Sequence, residues 1–411
     1  MVKIWLSFFL LVVTHVLHAQ NFDVEVGPIY GHYTDSTKHF WMLVKPHNPV
    51  HSTVDWVTQF NADFYQYIEK NTDSRVRQVL RSTVVEDIYV MVTGIVELKR
   101  PQMERRDVSF LLGSCAFPYP WAFWSGKKRD VIFKTMTRHD KDFMLWMGDN
   151  VYYLFGDWKS KKRMHRKNLK MRFKPHLRSL LESCPQYATW DDHDYGDNNG
   201  DGSYSGKYES LEMFKNYWAN PYYGLDTAAG VFCNFQHSDA EFFMLDTRFY
   251  ASDSSMLGTA QTDWLKAKLK ASKANFKFIV SGTQVLPDNP NGEDLGDFGE
   301  SRQDLLDFIK KEKITGIVFL SGDRHYGELM RMERQDAYPL YEMTSSPLTS
   351  IVNPAVTKDN QIRLPGTLVK DLNFGKIYLF GNGEDRRCRM ELFDRYGKLY
   401  WQHDIFLSDL Q

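Results

Sequence analysis

Two short apolar runs organise the middle of the chain. Phe110-Leu111-Leu112 stops at Gly113-Ser114-Cys115, and Met144-Leu145-Trp146-Met147 stops at Gly148-Asp149-Asn150-Val151-Tyr152. Short apolar runs bounded by glycine predict buried strands of a parallel sheet. From Asp107 onward such runs recur, predicting strands at Val108–Leu112, Phe143–Met147, Gln186–Thr189, Phe242–Leu245, Phe276–Val280 and Gly316–Leu320. Between them Asp130–His139, Ser160–Leu181, Thr262–Ala271 and Gly299–Glu312 predict helices. This alternation argues for an α/β layered domain. After Thr367 the pattern turns strand-like again at Lys376–Phe380, Arg387–Phe393 and Leu399–Phe406, expected as antiparallel hairpins with Gly397 at one turn.

The amino-terminal part obeys another rule. Asp23–Pro28, His39–Val44 and Asp87–Val92 alternate or favour β structure, with turn chemistry at Tyr33–Thr37. Asn61–Arg81 carries enough charge and mixed periodicity for a helix or an irregular excursion. The expectation is a small β-sandwich over 21–100, then a catalytic domain over 107–411. A chain of 411 residues has room for two domains, since single cores stop growing near roughly 250–300 residues.

The first residues read as an export signal: Lys3, an apolar stretch over Ile4–Val16, and a cut after Ala19. The stretch is too short to span a membrane comfortably. The mature chain is therefore expected to be exported, periplasmic or secreted, with no transmembrane segment. A formal net charge of −1 gives no whole-chain case for nucleic acid or an anionic membrane. The basic run Lys159–Lys174 reads as a solvated helix face or an attraction for phosphorylated polymers. Export makes Cys115, Cys184, Cys233 and Cys388 compatible with disulfides, and none has CxxC spacing. With Cys115 on a metal, at most one disulfide joins two of the other three.

The residues just beyond each predicted strand carry the chemistry. Cys115 lies after the first, Asp149 and Tyr152 after the second, and Trp190-Asp191-Asp192-His193-Asp194 after the third. Asp246 and Arg248 lie after the fourth, and Gly322-Asp323-Arg324-His325 after the sixth. One acidic strand end would mean only a cap or a turn. Five of six such ends at one sheet edge point to metal-assisted hydrolysis, with Asp149 chosen as the carboxylate shared between two cations. A thiolate and a phenolate favour a Lewis-acidic ion such as iron, and carboxylates a hard ion such as calcium or magnesium. Asp191 reads as a cap or an orienter rather than a ligand. Trp121, Phe123 and Trp124 either line a substrate mouth or form a packed loop cluster.

Gly148–Tyr152 fits the GDxxY motif of binuclear metallophosphatases of the purple acid phosphatase kind. More specifically the chain resembles the alkaline phosphatase D family. It carries Gly113-Ser114-Cys115, GDxxY, Trp190–Asp194, Leu245–Arg248, Leu257–Leu265 and Ser321–His325 in that family's order, and Val26-Gly27-Pro28 through Asp35 resembles the β-sandwich that precedes its catalytic domain. The resemblance implies a four-layer α/β/β/α core, in the α/β (α+β) class, and hydrolysis of phosphate monoesters or diesters by metal-bound hydroxide. It implies that Cys115, Asp149, Tyr152 and His325 hold iron, and that Asp149 bridges to a calcium site shared with Asp192 and Asp323. Magnesium, manganese or zinc are alternative divalent ions. His193 stands where relatives keep a histidine that protonates the leaving oxygen or steadies the phosphate. Arg248 resembles a phosphate clamp, and Asn150 and Arg302 are further candidate substrate contacts. The sequence departs from the family in the polar loop Asp197–Asp201, which could add calcium ligands, and in Leu295, near the place of a tryptophan. Small or polymeric phosphate esters are the expected partners, met by a monomer. A phosphodiesterase of lipid or wall esters and a non-catalytic binding protein remain the alternatives.

Overall fold

The computed structural model describes residues 22–47, 63–86, 88–99, 107–117, 129–288, 295, 298–354, 356 and 360–411. The export signal over 1–19 and Trp121, Phe123 and Trp124 lie outside the described residues. No helix among the described residues is long and apolar enough to cross a membrane.

The chain opens with β1 (Phe22–Tyr33), β2 (Thr37–Pro46), β3 (Ser74–Val85) and β4 (Tyr89–Leu98). They form one antiparallel sheet in the order β1-β2-β4-β3. The amino-terminal β region is thus, among the described residues, a single sheet rather than two facing ones. A helical segment over 63–71 takes the place of a second sheet on one face, where Phe64 and Ile68 pack on Phe22, Phe40 and Val92. The other face, with Ile29, Trp41 and Leu43, joins one hydrophobic core with Leu111, Met144 and Trp146. The stretch expected as helix or excursion divides there: 74–81 is strand, because its small and β-branched residues complete the ladder to β4.

Two further sheets build the rest. In the first, β5 (Val108–Gly113), β6 (Phe143–Met147) and β7 (Gln186–Thr189) run parallel, while β14 (Asn373–Phe380), β15 (Arg387–Asp394) and β16 (Leu399–Phe406) extend it antiparallel beyond β5. In the second, β9 (Ala240–Met244), β10 (Phe276–Ser281), β11 (Ile317–Ser321) and β13 (Ala337–Thr344) are parallel, with β8 (Cys233–His237) and β12 (Glu328–Arg334) antiparallel at its edges. The sheets face each other through alternate side chains. Phe110, Leu112, Phe143 and Leu145 meet Phe242, Phe278 and Val280. Phe110 stacks on Phe143 at 4.9 Å and meets Phe242 edge-on at 5.1 Å. Each such ring contributes roughly 1.5–3 kcal/mol by burial.

The intervening residues face helices. Leu111, Met144 and Trp146 pack under α1 (Val131–Arg138), α2 (Lys161–Arg172) and α3 (Pro175–Leu181). Two more helices on this side are α4 (Asp192–Tyr195) and α5 (Lys207–Tyr217). Phe243, Ile279 and Phe319 pack under α6 (Gly258–Ala271) and α7 (Gly299–Lys311). Both faces of both sheets are therefore covered, which is why the strands read as continuous apolar runs. The result is the expected α/β/β/α layering.

Several elements depart from the pattern reading. Ser160–Leu181 is two helices, since Pro175 lacks an amide hydrogen and opens α3 at its first position. The pattern does not predict the β12–β13 hairpin, because Arg331, Glu333 and Arg334 break the apolar run, nor does it predict β8 and α5. All four cysteines are buried free thiols, so no disulfide forms among them. Cys233 and Cys388 are sealed in the inter-sheet core, where a thiol behaves as a small hydrophobe.

Burial also stores a pH dependence away from the site. His32, partly buried beside His39, and His165, hydrogen-bonded to Tyr217 at 3.0 Å, are both held down to about pKa 4. Desolvation is the main cause in each. Between pH 6.5 and 4 the unfolded chain binds more protons than the folded one, so stability is full above that window and declines as pH falls through it. The loss approaches roughly 3 kcal/mol per ring. Denaturant midpoints at pH 7 and pH ~4.5 check this: His165→Gln should show a smaller drop than the parent, and an equal drop would contradict it.

Candidate metal centre

The carboxyl ends of β5, β6, β7 and β11 meet where the two sheets come together, and close approach there is built into the sequence. A Cβ on Gly322 would lie 2.3 Å from the Met147 carbonyl oxygen, and one on Gly148 would lie 2.6 Å from the Cβ of Asp191. Gly148 also turns at φ 85°. The ligand-type residues after these strand ends adopt left-handed backbone conformations: Cys115 at φ 58°, Asp149 at 54°, Asp323 at 61° and His325 at 56°. For residues with a Cβ this costs roughly 1–3 kcal/mol each and persists only where the surroundings impose it. Here they do. Ala116 N donates to the Asp149 carbonyl at 2.9 Å, Thr349 N and Ser350 N donate to the Cys115 carbonyl, and Asn353 N donates to the His325 carbonyl at 3.0 Å.

These turns gather two sets of donors. Ligand atoms of Cys115, Asp149 and His325 lie within 4.8 Å of one another, and so do those of Asp149, Asp192 and His193. Asp149 belongs to both. Its Oδ2 is 3.5 Å from the Cys115 sulfur, and its Oδ1 accepts from His193 N at 3.2 Å. The Tyr152 hydroxyl is 3.4 Å from His325 Nε2, and its ring stacks on His193 at 4.3 Å. Asp323 approaches through its carbonyl, 3.5 Å from the Cys115 sulfur, and its carboxylate lines the adjoining cleft. Asp192 Oδ2 accepts from Asn199 N at 2.8 Å, so the Asp197–Asp201 loop folds over this side while Asp201 itself turns to Ser203.

The electrostatics are those of a site short of positive charge. Asp149 is almost fully buried, and burial together with Asp192, Asp191, Asp194 and Asp323 pushes its carboxyl well above the usual range. Burial, then Asp149 and Asp323, push the Cys115 thiol up, and burial, then Asp149, push the Tyr152 phenol up. Burial holds His325 down to about 4. Burial opposes ionisation of Asp192, yet Arg248 and His193 hold it below its ordinary value. A bound cation reverses this logic, since it stabilises the deprotonated forms. The donor set fits a metal pair on these grounds: a thiol, a phenol and an imidazole on one side of Asp149, and carboxylates on the other.

Not every expected contact faces the centre. Arg248 is buried, and its Nε donates to Asp191 Oδ1 at 2.5 Å. Burial opposes its charge but Asp191 and Asp192 outweigh that and hold the guanidinium above its ordinary value. Asp246 binds the Arg248 backbone N at 3.0 Å rather than its side chain. Arg302 pairs with Asp288 and donates to the Leu286 carbonyl at 2.8 Å, and Leu295 lies in the apolar cluster beneath α7. The Asn150 amide donates to the Thr189 carbonyl at 2.7 Å. The cleft beside the centre, about 380 Å³, is lined by His193, Asn199, Arg324 and the strap Ile351–Pro354, apolar but for Asn353.

Three residues with work at the centre had no role in the sequence reading. Arg324 lines the cleft, with its NH1 3.6 Å from Asp323 Oδ2. Ser346 donates to the Cys115 sulfur at 3.1 Å and accepts from His325 N at 3.0 Å. Asp194 accepts from the amides of Asn150, Val151 and Asp191 and so joins the β6 loop to α4. Burial pushes it up to about 8 despite those donors. The signals were present for Arg324 and Asp194, which sit inside motifs already singled out. Ser346 lies two residues beyond β13, which the pattern does not predict.

Comparisons with known proteins agree with this architecture. The solved structure of PhoD is similar over 92% of this chain and 91% of that one, at 13% identity and a TM-score of 0.65. Purple acid phosphatase PPD1 from yellow lupin (Lupinus luteus) seeds is similar over 92% of this chain and 74% of that one, at 10% identity and a TM-score of 0.60. At such identities the likeness is one of fold. No curated protein sequence matches the chain. The family model described as PhoD-like phosphatase matches residues 114–376, more than half of the sequence and every candidate ligand described above. The chain belongs to the PhoD-like phosphatase family.

Proposed function

We propose that this phosphoric ester hydrolase is an exported, two-metal phosphoesterase that cleaves phosphate monoesters or diesters in the cleft beside Asp149. The observation that carries the reading is one buried carboxylate common to two donor clusters. Cys115, Asp149, Tyr152 and His325 would hold the first cation, read as iron. Asp149, Asp192 and Asp323 would hold the second, read as calcium. When bound, the cations would supply Lewis acidity toward the phosphoryl oxygens and an activated water at neutral pH.

The chain's own groups do the rest. His193 is the proton donor to the leaving oxygen, placed by its stack on Tyr152 and by the hydrogen bond its backbone N–H donates to Asp149 Oδ1. Arg324, at the cleft wall, takes the phosphate-facing role expected of Arg248 and Arg302, since guanidinium geometry suits phosphate oxygens. Arg248 acts through Asp191, fixing the turn that presents Asp192. The strap of Ile351, Val352 and Pro354 offers an apolar wall to the leaving group, which favours diesters and apolar esters. In this reading residues 1–19 are a cleaved signal, residues 21–100 a supporting domain for the catalytic domain over 107–411, and the enzyme a monomer.

Asp149→Asn keeps the oxygen that accepts from His193 N but not the charge. Turnover should fall by more than about a hundredfold, beyond the usual effect of outer ligand partners, with the thermal midpoint nearly unchanged. Undiminished turnover would remove Asp149 from the centre. Cys115→Ser should lose iron preferentially while keeping the second cation, read by elemental analysis; intact iron content would take Cys115 out of the ligand set. His193→Ala should slow esters of alkyl alcohols by roughly a hundredfold or more while slowing p-nitrophenyl esters far less. Equal losses on both, accompanied by lost metal, would make His193 a ligand instead.

A further inference from the structure

A second concavity lies on the seam between the amino-terminal sheet and the catalytic domain, and the proposed reaction makes no use of it. It measures about 230 Å³ and takes Arg81 and Thr93 from the sheet, and Lys215, Trp218, Tyr222 and Tyr223 from α5 and the segment after it. The seam is closely fitted: His32 N donates to the Ala219 carbonyl at 2.8 Å, and the Trp41 indole donates to the Asn216 carbonyl at 2.7 Å.

The charge pattern of this cleft is one-sided. None of the described residues lining it is an acid. Arg81 NH1 is held by Asn216 Oδ1 at 2.9 Å, a neutral partner, and the Lys215 ammonium lies 5.7 Å from the centre of the Tyr223 ring. Acids on neighbouring turns have other partners: Glu212, one turn from Lys215, pairs with Lys161 at 2.6 Å, and Glu86 pairs with Arg166 at 3.3 Å. Burial and then Arg81 lower the Lys215 pKa, as expected for two cations sharing a half-buried hollow. The tyrosine hydroxyls are engaged internally. Tyr222 OH serves Asn234, and Tyr223 OH serves the backbone of Trp218 and Asn220. What these side chains offer a ligand is apolar ring surface.

We propose that this seam is a second binding site, separate from the metal centre, for a small organic anion. Its phosphate or carboxylate group would bind between Arg81 and Lys215, and a flat apolar portion would bind against Trp218, Tyr222 and Tyr223. Two converging cations suit a charged group with several acceptor oxygens. A cleft of about 230 Å³ admits a molecule the size of a phenyl-substituted anion.

The test is calorimetric titration of the metal-loaded enzyme with phenylphosphonate, which cannot be hydrolysed, and with phenylacetate. Wild type should show a binding event that survives in Asp149→Asn. Lys215→Gln and Arg81→Gln should each weaken that event by about tenfold or more without changing the turnover of p-nitrophenyl phosphate. Arg81→Lys, which keeps the charge, should retain it, guarding against a folding defect in Arg81→Gln. Phenylphosphonate binding assigns the site to organic phosphates, and phenylacetate binding without it assigns the site to carboxylates. Binding of neither ligand outside the metal centre, or variants that titrate as wild type, would overturn the proposal.

Discussion

Five carboxylates, of Asp149, Asp191, Asp192, Asp194 and Asp323, converge at the junction of two sheets, four of them almost wholly buried. Gathering like charges out of water is among the most unfavourable arrangements a protein can hold, and it persists only when opposite charge is brought to it. Arg248 answers part of the excess through Asp191, and backbone amides answer Asp194. The remaining excess falls on Asp149, whose two oxygens face different donor sets. The remainder of the fold can be understood as the means of imposing this crowding.

The imposition is made by stiffness. Facing sheets locked by edge-on phenylalanine contacts hold their strand ends in fixed relation, and glycines at Gly148 and Gly322 let the ends approach to contact. Ligand-bearing residues then leave in left-handed turns that loose loops would relax away. A site on such supports is preorganised: its donors do not have to be gathered when a cation or a phosphate arrives. Ser346 shows how far this goes, since one hydroxyl fixes both the Cys115 sulfur and the His325 backbone.

How much of this was readable beforehand depends on whether the relevant residues share a short stretch of chain. Strands buried on both faces announce themselves as apolar runs, so the layered core and the positions of Cys115, Asp149 and Asp323 at strand ends were legible. The direction of a long side chain is not a local property. Arg248 stands just past a strand end as a phosphate ligand should, yet it turns to Asp191, 57 positions away in sequence. Arg302 likewise turns to Asp288. The β12–β13 hairpin hid because its outer face is charged, and Ser346 hid with it. The amino-terminal sheet was legible as β structure, but which element covered its second face was not, because 63–71 has helical spacing only when the next segment is recognised as a strand.

The same contrast separates the two cationic places on the molecule. At the metal centre positive charge is supplied to relieve an excess of acids, and Arg248 is engaged in doing so. At the seam Arg81 and Lys215 stand without an acid among the described lining residues, so the imbalance runs the other way. Evening out both would have been simple, since Glu212 sits one turn from Lys215 yet pairs with Lys161. An uncompensated cation pair held against aromatic rings on a tightly fitted seam is less stable than a neutralised one. That cost is accounted for if an anion arrives to neutralise it.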